Sequence, residues 1–207
     1  MAKNVTLDSR LTGRSRSSRL GRERRGSGLK VVLALLAIAV VGFLVAVALQ
    51  PAAFRISRSA TMQAPASAVF AQVNDFHNWT AWNPWQKLDP TAKNTFSGPT
   101  SGVGSVFEWD GNDEVGAGRM TIVESRPDDL IRIKLEFLRP MEATNTAEFV
   151  FQTAGPQSTT VTWSMFGENG FLAKAFGLVM DMDQMLGAQF AKGLADLKAI
   201  VEKKPRA

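Results

Sequence analysis

Few side chains in this sequence could transfer a proton. His77 is the only histidine, and the chain contains no cysteine. A histidine can act as a general base at neutral pH, but it needs an orienting acid and a substrate pocket. Asp75 lies two positions away, which is too local in sequence to predict such a dyad. We therefore expect His77 to end a helix and to bond backbone or face solvent, with general-base catalysis as the alternative.

Glu124 is the second candidate for acid–base chemistry. It lies in Arg119–Ser125, where alternation places Met120 and Ile122 on one face, and it continues their parity. A carboxylate buried in an apolar cavity is a reasonable proton-transfer group. Carboxylates near strand ends are usually exposed, so solvation outside a cavity is the simpler expectation. With one histidine, no cysteine and scattered carboxylates, we predict no metal site and no cofactor.

Three tryptophans, Trp79, Trp82 and Trp85, are spaced three residues apart. On a helical turn they would share one face, and Asn83-Pro84 would interrupt the helix. Indoles bury a large apolar area, so we expect the three to anchor this segment against a sheet. The alternative places one or two of them at the mouth of a cavity or at a membrane interface, where indoles are favoured.

Two hydrophobic periodicities predict the strands and helices around these residues. From residue 93 on, about six stretches alternate apolar and polar side chains, most clearly Ile131–Phe137, which predicts antiparallel strands. Phe54–Met62 predicts one strand more, and Ala64–Val73 predicts a helix. Asp181–Lys203 repeats apolar residues at helical spacing. We predict an α+β domain over residues 54–203, in which one long terminal helix covers a curved antiparallel sheet.

Several stretches of this domain resemble the SRPBCC superfamily, the START-like proteins that include polyketide cyclases and dehydrases. The stretches are SATMQAPASAVFAQVNDFHNWTAWNPW, DPTAKNTFSGPTSGVGSVFEWDG, VGAGRMTIVES, VTWSMFG and FAKGLADLKAIVE. The resemblance is to the membrane-linked bacterial subgroup in particular. It implies a helix-grip fold with a cavity between the curved sheet and the terminal helix, which takes apolar or amphipathic ligands.

Inward-facing side chains of the strands and of the terminal helix would line that cavity. Such a site holds its ligand by apolar burial, and a few polar groups set the orientation. Flexible methionines would suit an adaptable wall, with ordinary core packing as the alternative. The expected lining residues are Phe107, Trp109, Ile133, Leu135, Phe149, Phe151, Trp163, Met182, Met185, Leu186 and Phe190.

The N-terminal region differs in composition from the domain, because it contains a long apolar run preceded by basic residues. Val31–Leu49 is a run of 19 apolar or glycine residues, and as a helix it would be about 28 Å long, close to the roughly 30 Å of a bilayer's hydrocarbon core. We predict one transmembrane helix. Residues 1–30 hold nine Lys/Arg and two acidic residues, a net charge of +7, which predicts a cytoplasmic N-terminus and an extracytoplasmic C-terminal domain. A signal peptide cleaved after Ala46-Val47-Ala48 is the alternative.

The basic segment, residues 1–30, is also rich in Ser and Gly, which predicts a disordered tail that contacts anionic lipid. RNA binding by this tail is the alternative. The rest of the chain holds 15 basic and 17 acidic residues, a net charge of −2. We therefore expect no nucleic-acid binding by the domain.

Three functions fit these expectations. The leading hypothesis is a membrane-anchored binding domain whose partners are the lipid bilayer and a hydrophobic or lipid-like small molecule. The first alternative is an enzyme of the polyketide cyclase/dehydrase type, in which Glu124 or His77 moves protons. The second is a partner-binding domain at the membrane surface that uses the tryptophan segment as its contact surface. The residues specify neither the ligand nor the oligomeric state.

Overall fold

The structure is a computed structural model that describes residues 20–203. The chain divides into two compact units, one ending at Leu49 and the other beginning at Gln50. The described part of the first unit is one helix, α1 (Leu20–Leu49). Its segment Gly28–Leu49, 22 residues long, is long and apolar enough to cross a membrane or to serve as a signal sequence. Residues 20–30 of the expected tail are helical, and residues 1–19 lie outside the described part.

The second unit is a seven-stranded sheet with four short helical segments before and after it and one long helix at its end. The elements before the sheet's main meander are β1 (Ala53–Met62), α2 (Ala66–Asn74), α3 (Phe76–Trp79) and a 3₁₀ helix (Pro84–Lys87). The strands that follow are β2 (Lys93–Ser97), β3 (Val106–Asp110), β4 (Ala117–Arg126), β5 (Leu130–Arg139), β6 (Ala143–Gly155) and β7 (Ser158–Glu168). The chain continues as α4 (Phe171–Gly177) and α5 (Met182–Val201).

The sheet is antiparallel throughout, in the order β1-β7-β6-β5-β4-β3-β2. Consecutive strands from β2 to β7 form a meander, and β1 pairs with β7. Ala53 pairs with Glu168 and Phe137 pairs with Ala143. The start of β1, the end of β7, the β5–β6 turn and the β3–β4 turn (residues 111–116) therefore lie at one end of the sheet. We call this the proximal end and the opposite one the distal end.

The long helix α5 covers the inner face of the sheet, as predicted for a helix-grip fold. The rings of Trp163 on β7 and Phe190 on α5 are stacked with centroids 4.4 Å apart. Leu194 and Leu197, further along α5, are fully buried. At about 25 cal/mol per Å² of apolar surface, this burial is the main favourable contribution to the fold.

An ion pair fixes the first turn of α5 to β1. Arg58 Nη2 donates to Asp183 Oδ2 at 2.9 Å and to the Asp183 carbonyl oxygen at 3.0 Å. The hydrogen bond to this carboxylate raises the pKa of Arg58, and the same bond lowers the pKa of Asp183. Gly187 allows the close approach, since a Cβ atom there would overlap the Arg58 guanidinium.

Helix boundaries follow local capping. Asp181 was predicted inside the terminal helix, but it is the N-cap, and its Oδ1 accepts a bond from Gln184 N at 2.9 Å. Pro65 likewise precedes the first turn of α2. The helix α4 was not predicted, because seven residues are too few to establish a periodicity.

Candidate ligand-binding cavity

A cavity of about 250 Å³ lies between the inner face of the sheet and α5. Side chains from β3 to β7 line one side, and Leu186 and Phe190 of α5 line another. The segment between α3 and β2 closes a third side through Trp79 and Trp85. The lining is mostly aromatic and aliphatic, as in pockets that hold apolar ligands.

Six of the eleven residues expected to line a cavity do line this one. They come from three strands and from α5, so tertiary structure brings together positions more than 80 residues apart in sequence. Trp163 of β7 lies at its centre and contacts residues of both the sheet and the helix. The six are Phe107, Trp109, Leu135, Trp163, Leu186 and Phe190.

Three other expected residues, Ile133, Phe149 and Phe151, belong to the core instead. All three face inward but are covered by other side chains. Phe149 stacks on Trp163 with centroids 4.9 Å apart and meets Trp79 edge to face at 5.6 Å. Inward orientation was therefore predicted correctly for them, but α2 and the tryptophan segment separate them from the cavity.

Met182 and Met185 lie outside the cavity lining, which differs from the expectation. Their side chains are 39% and 50% exposed. At about 100° per residue, Met185 is roughly 140° around the helix from Phe190. Met182, one turn before the lining residue Leu186, lies at the edge of the face that α5 turns to the sheet, and Met185 lies further around the helix.

The three tryptophans of the α3 segment converge on Trp163. The centroids of Trp79, Trp82 and Trp85 lie 6.2, 5.8 and 5.8 Å from it, each in an edge-to-face arrangement. Trp79 is 3% exposed and Trp82 is fully buried. The indoles therefore attach this segment to the sheet, while Trp79 and Trp85 also line the cavity. The burial of Trp79 and Trp82 leaves no exposed indole surface for a partner or a bilayer at residues 79 and 82, whereas Trp85 is half-buried.

Buried polar groups at the cavity serve the loops around it. Asn83 is 5% exposed, and its Oδ1 caps the 3₁₀ helix by accepting a bond from Trp85 N at 3.1 Å. Asp89 accepts bonds from the Thr91 hydroxyl at 2.7 Å and from Asn112 N at 2.8 Å. These bonds, the Thr91 hydroxyl first, lower the pKa of Asp89. Asp89 thus ties the approach to β2 to the β3–β4 turn.

The mouth of the cavity is at the proximal end of the sheet. Glu114 and Gly116 of the β3–β4 turn and Arg139 and Pro140 of the β5–β6 turn all contribute to it. Arg139 Nη2 donates to the Asp110 carboxylate and to the Gly111 carbonyl oxygen. The mouth therefore carries both charges, while the interior is apolar.

Gly118 allows the Trp109 indole to form part of the cavity wall. A Cβ atom at this position would overlap the Trp109 ring, so the indole can lie across β4 only because residue 118 has no side chain. Trp109 Nε1 donates to the Val115 carbonyl oxygen at 3.1 Å.

His77 lies at the distal end, away from the cavity. Its side chain is 51% exposed, its Nδ1 is 2.8 Å from Asp75 Oδ1, and its ring stacks on Phe96 at 4.3 Å. It lines a separate pocket of about 190 Å³ with Phe96 and Ser105. Asp75 also accepts a bond from His77 N at 2.9 Å, which makes it the N-cap of α3. The solvent-facing position at a short helix matches the expectation for His77, but the expectation that Asp75 is too close in sequence to pair with it was wrong, because a helix N-cap folds the Asp75 carboxylate back onto the imidazole.

Glu124 points to the outer face of the sheet. The β4–β5 register shifts between Ile122 and Glu124, so a bulge at Val123 reverses the parity that the sequence suggested. The Glu124 carboxylate pairs with Arg132, which also donates to Glu148 Oε2 at 2.8 Å. The bond to Glu148 is the first cause of the raised pKa of Arg132. Glu124 is thus part of an outer-face ion network and not of the cavity.

Within the part of the chain that the structure describes, no group of three His, Cys, Asp or Glu side chains is arranged to hold a metal ion. The expectation that the protein needs neither metal nor cofactor stays a prediction.

Comparison with known protein families shows which family contains this chain. A family model described as "Polyketide cyclase / dehydrase and lipid transport" matches residues 53–202, nearly the whole second unit. The chain belongs to this family. Membership in the polyketide cyclase/dehydrase and lipid transport family confirms the predicted SRPBCC relationship. A comparison with curated proteins found no significant match.

Solved structures share the fold at low identity. Protein CV1439 from Chromobacterium violaceum is 14% identical, with a TM-score of 0.53 over 73% of this chain and 99% of that one. CalU16 from Micromonospora echinospora is also 14% identical, with a TM-score of 0.51 over 74% of this chain and 78% of that one. BexL, a di-domain ARO/CYC protein of the BE-7585A biosynthetic pathway, is 18% identical, with a TM-score of 0.54 over 90% and 61%. These structural similarities confirm that this chain contains a helix-grip fold.

Proposed function

We propose that this protein is a membrane-anchored binding domain that holds a hydrophobic or lipid-like small molecule between its sheet and α5. The observation that supports this most directly is the cavity of about 250 Å³ with its largely apolar lining. Apolar side chains that face an empty volume leave contacts unmade, and an apolar ligand would restore them. The family's description includes lipid transport, in keeping with such a ligand.

The charged mouth favours an amphipathic ligand. Arg139 and Glu114 are exposed at the opening, while Trp163 and Met165 inside it are buried. A ligand with an apolar body and a polar end would bury the body against the indole and leave the end beside the charged groups. Such a ligand avoids the cost of burying an unpaired polar group.

The enzymatic alternative is less well supported by the geometry. A proton-transfer group must come within hydrogen-bond reach of a bound substrate. His77 lines a different pocket, and Glu124 lies on the outer face of the sheet. Asp89 and Glu114 both border the cavity, but the two oxygens of Asp89 already accept bonds from Thr91 and Asn112, and Glu114 is exposed to solvent at the mouth. Binding is therefore the function that the site supports better than cyclisation or dehydration.

The apolar segment Gly28–Leu49 supports anchoring of the domain in a membrane. The eight basic residues that precede Gly28 support a cytoplasmic N-terminus and an extracytoplasmic domain, by the positive-inside tendency. A reporter enzyme that is active only outside the cytoplasm, fused after Ala207, tests this orientation. Activity of the fusion is expected, and an inactive but intact fusion would contradict the proposal. Mass spectrometry of the mature chain distinguishes an intact membrane anchor from a signal peptide that is cleaved after Ala48.

Energy transfer from tryptophan to the apolar fluorophore N-phenyl-1-naphthylamine tests binding, because Trp79, Trp85, Trp109 and Trp163 all line the cavity. The full chain in detergent micelles should show saturable transfer. Ala147→Leu fills the cavity wall and should weaken binding by tenfold or more, since it removes the space for about one ring of the ligand. Ala188→Leu adds the same volume on the exposed side of α5 and is the matched control. Equal transfer in both variants would refute binding in this cavity.

A further inference from the structure

The domain exposes an unusual set of apolar side chains after β7. Residues 171–185 form α4, a connecting segment and the first turn of α5. Val179 is 79% exposed, and Phe176 is 50% exposed. Folded monomeric proteins rarely expose contiguous apolar surface of this kind unless it binds something. We call these side chains the apolar patch: Phe171, Leu172, Phe176, Leu178, Val179, Met180, Met182 and Met185.

The exposed apolar residues are not spread over the domain. Between residues 50 and 203, twelve large apolar side chains are exposed. Eight belong to the apolar patch, and Leu138 and Met141 of the β5–β6 turn lie at the same proximal end. Val103 and Val123 are the other two. Eight of the twelve therefore fall within residues 171–185, which indicates a concentrated rather than a scattered exposure.

The proximal end is also where the chain joins the domain. Asn169 N, two residues before α4, donates to the Ala52 carbonyl oxygen at 2.7 Å. Three residues, Gln50 to Ala52, connect this point to Leu49, the last residue of the apolar helix α1. Three residues extend no further than about 11 Å. If α1 spans a bilayer, Ala52 lies within that reach of the end of the span, and the apolar patch begins two residues after Asn169, which is bonded to Ala52.

The mouth of the cavity opens within this surface. Arg139 and Pro140 line the cavity, while their neighbours Leu138 and Met141 are exposed. On α5, Leu186 lines the cavity and the preceding Met185 is exposed. Exposed apolar residues therefore directly precede or follow lining residues on two elements, the β5–β6 turn and α5.

We propose that the apolar patch docks on the lipid bilayer and that the cavity exchanges its ligand directly with that bilayer. If α1 spans a membrane, the chain itself places a lipid bilayer next to this end of the domain. Amphipathic surface segments of this kind insert about 5–10 Å, to the boundary of headgroups and acyl chains. The exchange route rests on the proposed binding function, whereas docking of the patch does not.

Charge indicates how the patch would bind. Residues 171–185 contain Lys174 against Asp181 and Asp183, a net charge of −1. Attraction to anionic lipid therefore contributes little, and apolar insertion must supply the affinity. Docking is expected on zwitterionic phosphatidylcholine and at high salt, unlike binding by a basic segment.

Single-cysteine labelling can test docking cleanly, because the chain has no cysteine of its own. The full chain is reconstituted in phosphatidylcholine vesicles with an environment-sensitive fluorophore at Val179→Cys. Val103→Cys is the matched control, since it is an exposed valine, 58% exposed, in the β2–β3 loop at the distal end. Lipids with a nitroxide on the acyl chain serve as the quencher.

The label at residue 179 should shift to the blue and lose most of its emission to the nitroxide lipid, in low and in high salt. The label at residue 103 should do neither. A blue shift at residue 179 without lipid quenching would mean that protein, a second copy or another partner, covers the patch, and would overturn the proposal. An unshifted label at residue 179 would overturn it as well.

Ligand exchange is measured separately, as the rate of transfer of a fluorescent lipid from the bilayer that holds α1 into the cavity, followed by energy transfer from the tryptophans that line the cavity. Val179→Asp combined with Phe176→Asp should slow transfer several-fold while saturable binding of N-phenyl-1-naphthylamine in micelles stays unchanged. Unchanged transfer in this variant would overturn the exchange route.

If residue 179 is quenched by lipid but the wild-type cavity binds no probe, the proposed function fails and docking stands. If the probe binds but residue 179 is not quenched, docking fails and the proposed function stands.

Discussion

Trp163 of β7 and Phe190 of α5 stack with their ring centroids 4.4 Å apart and their planes inclined by 13°. This contact joins the sheet to the helix that covers it, and both rings also line the cavity. Three further indoles surround Trp163, so the same aromatic group holds the fold together and shapes the site. Stability and ligand binding are therefore expected to depend on the same residues.

Truncation of Phe190 tests this dependence. Phe190→Ala should lower the free energy of unfolding by about 3–5 kcal/mol, because it removes a fully buried ring and leaves a cavity. Chemical denaturation in micelles, followed by tryptophan fluorescence, measures the change. Phe176→Ala on the exposed side of α4 is the control and should stay within about 0.5 kcal/mol of the wild type. Equal losses in both variants would contradict the assigned packing.

Gly193→Ala should destabilise the domain although alanine is the better helix former. An alanine Cβ would lie 2.8 Å from Trp163 Cζ3 and 3.0 Å from Pro84 Cδ, so α5 would be pushed off the sheet. Overpacking costs about 1–3 kcal/mol, against a gain of about 1 kcal/mol from helix propensity. Gly177→Ala, where a Cβ meets nothing within 4 Å, is the comparison. A rise in the melting temperature of Gly193→Ala would show that the helix is less closely packed than described.

Glu124→Gln and His77→Ala should leave binding of N-phenyl-1-naphthylamine unchanged. Glu124 pairs with Arg132 on the outer face, and His77 stacks on Phe96 at the distal end, so neither touches the bound probe. Titration of both variants beside Ala147→Leu measures the effect. A tenfold weaker affinity in either variant would mean that the cavity extends to that residue.

Acidification should weaken the domain through Asp89. Hydrogen bonds from Thr91 and Asn112 lower its pKa below the usual 3.8, so its contribution to stability is complete above that value and is lost as the pH falls through the lowered pKa. Asp89→Asn should be less stable than the wild type near neutral pH. The difference between the two should shrink between about pH 5 and pH 2. A constant difference across that range, in denaturation series at each pH, would exclude this linkage.

Much of the fold could be predicted from alternation. Ile131 and Ile133 lie inward on β5, as period two requires, and the α5 stripe through Phe190 and Leu194 follows helical spacing. The site was less predictable, because facing inward is not the same as facing a cavity. Phe149 satisfies the pattern, but Trp79 and Trp82 cover it. The separation of core from cavity depends on which loops fold over the sheet, and that information is not local.

Glu124 illustrates the same limit in one residue. Its parity with Ile122 suggested the inner face, and a single bulge residue, Val123, sends it outward. Bulges depend on pairing with the neighbouring strand, so a pattern read along one strand cannot reveal them.

Local sequence patterns are enough to predict the α+β class, the inner faces of the strands, the long terminal helix and the apolar N-terminal helix. These follow from hydrophobic periodicity and length, which act over a few residues. Tertiary structure alone decided the cavity, its mouth at the proximal end and the exposed patch beside it. Those features arise where strand register and helix rotation bring distant residues together, as with Arg58 and Asp183, and no local pattern encodes that meeting.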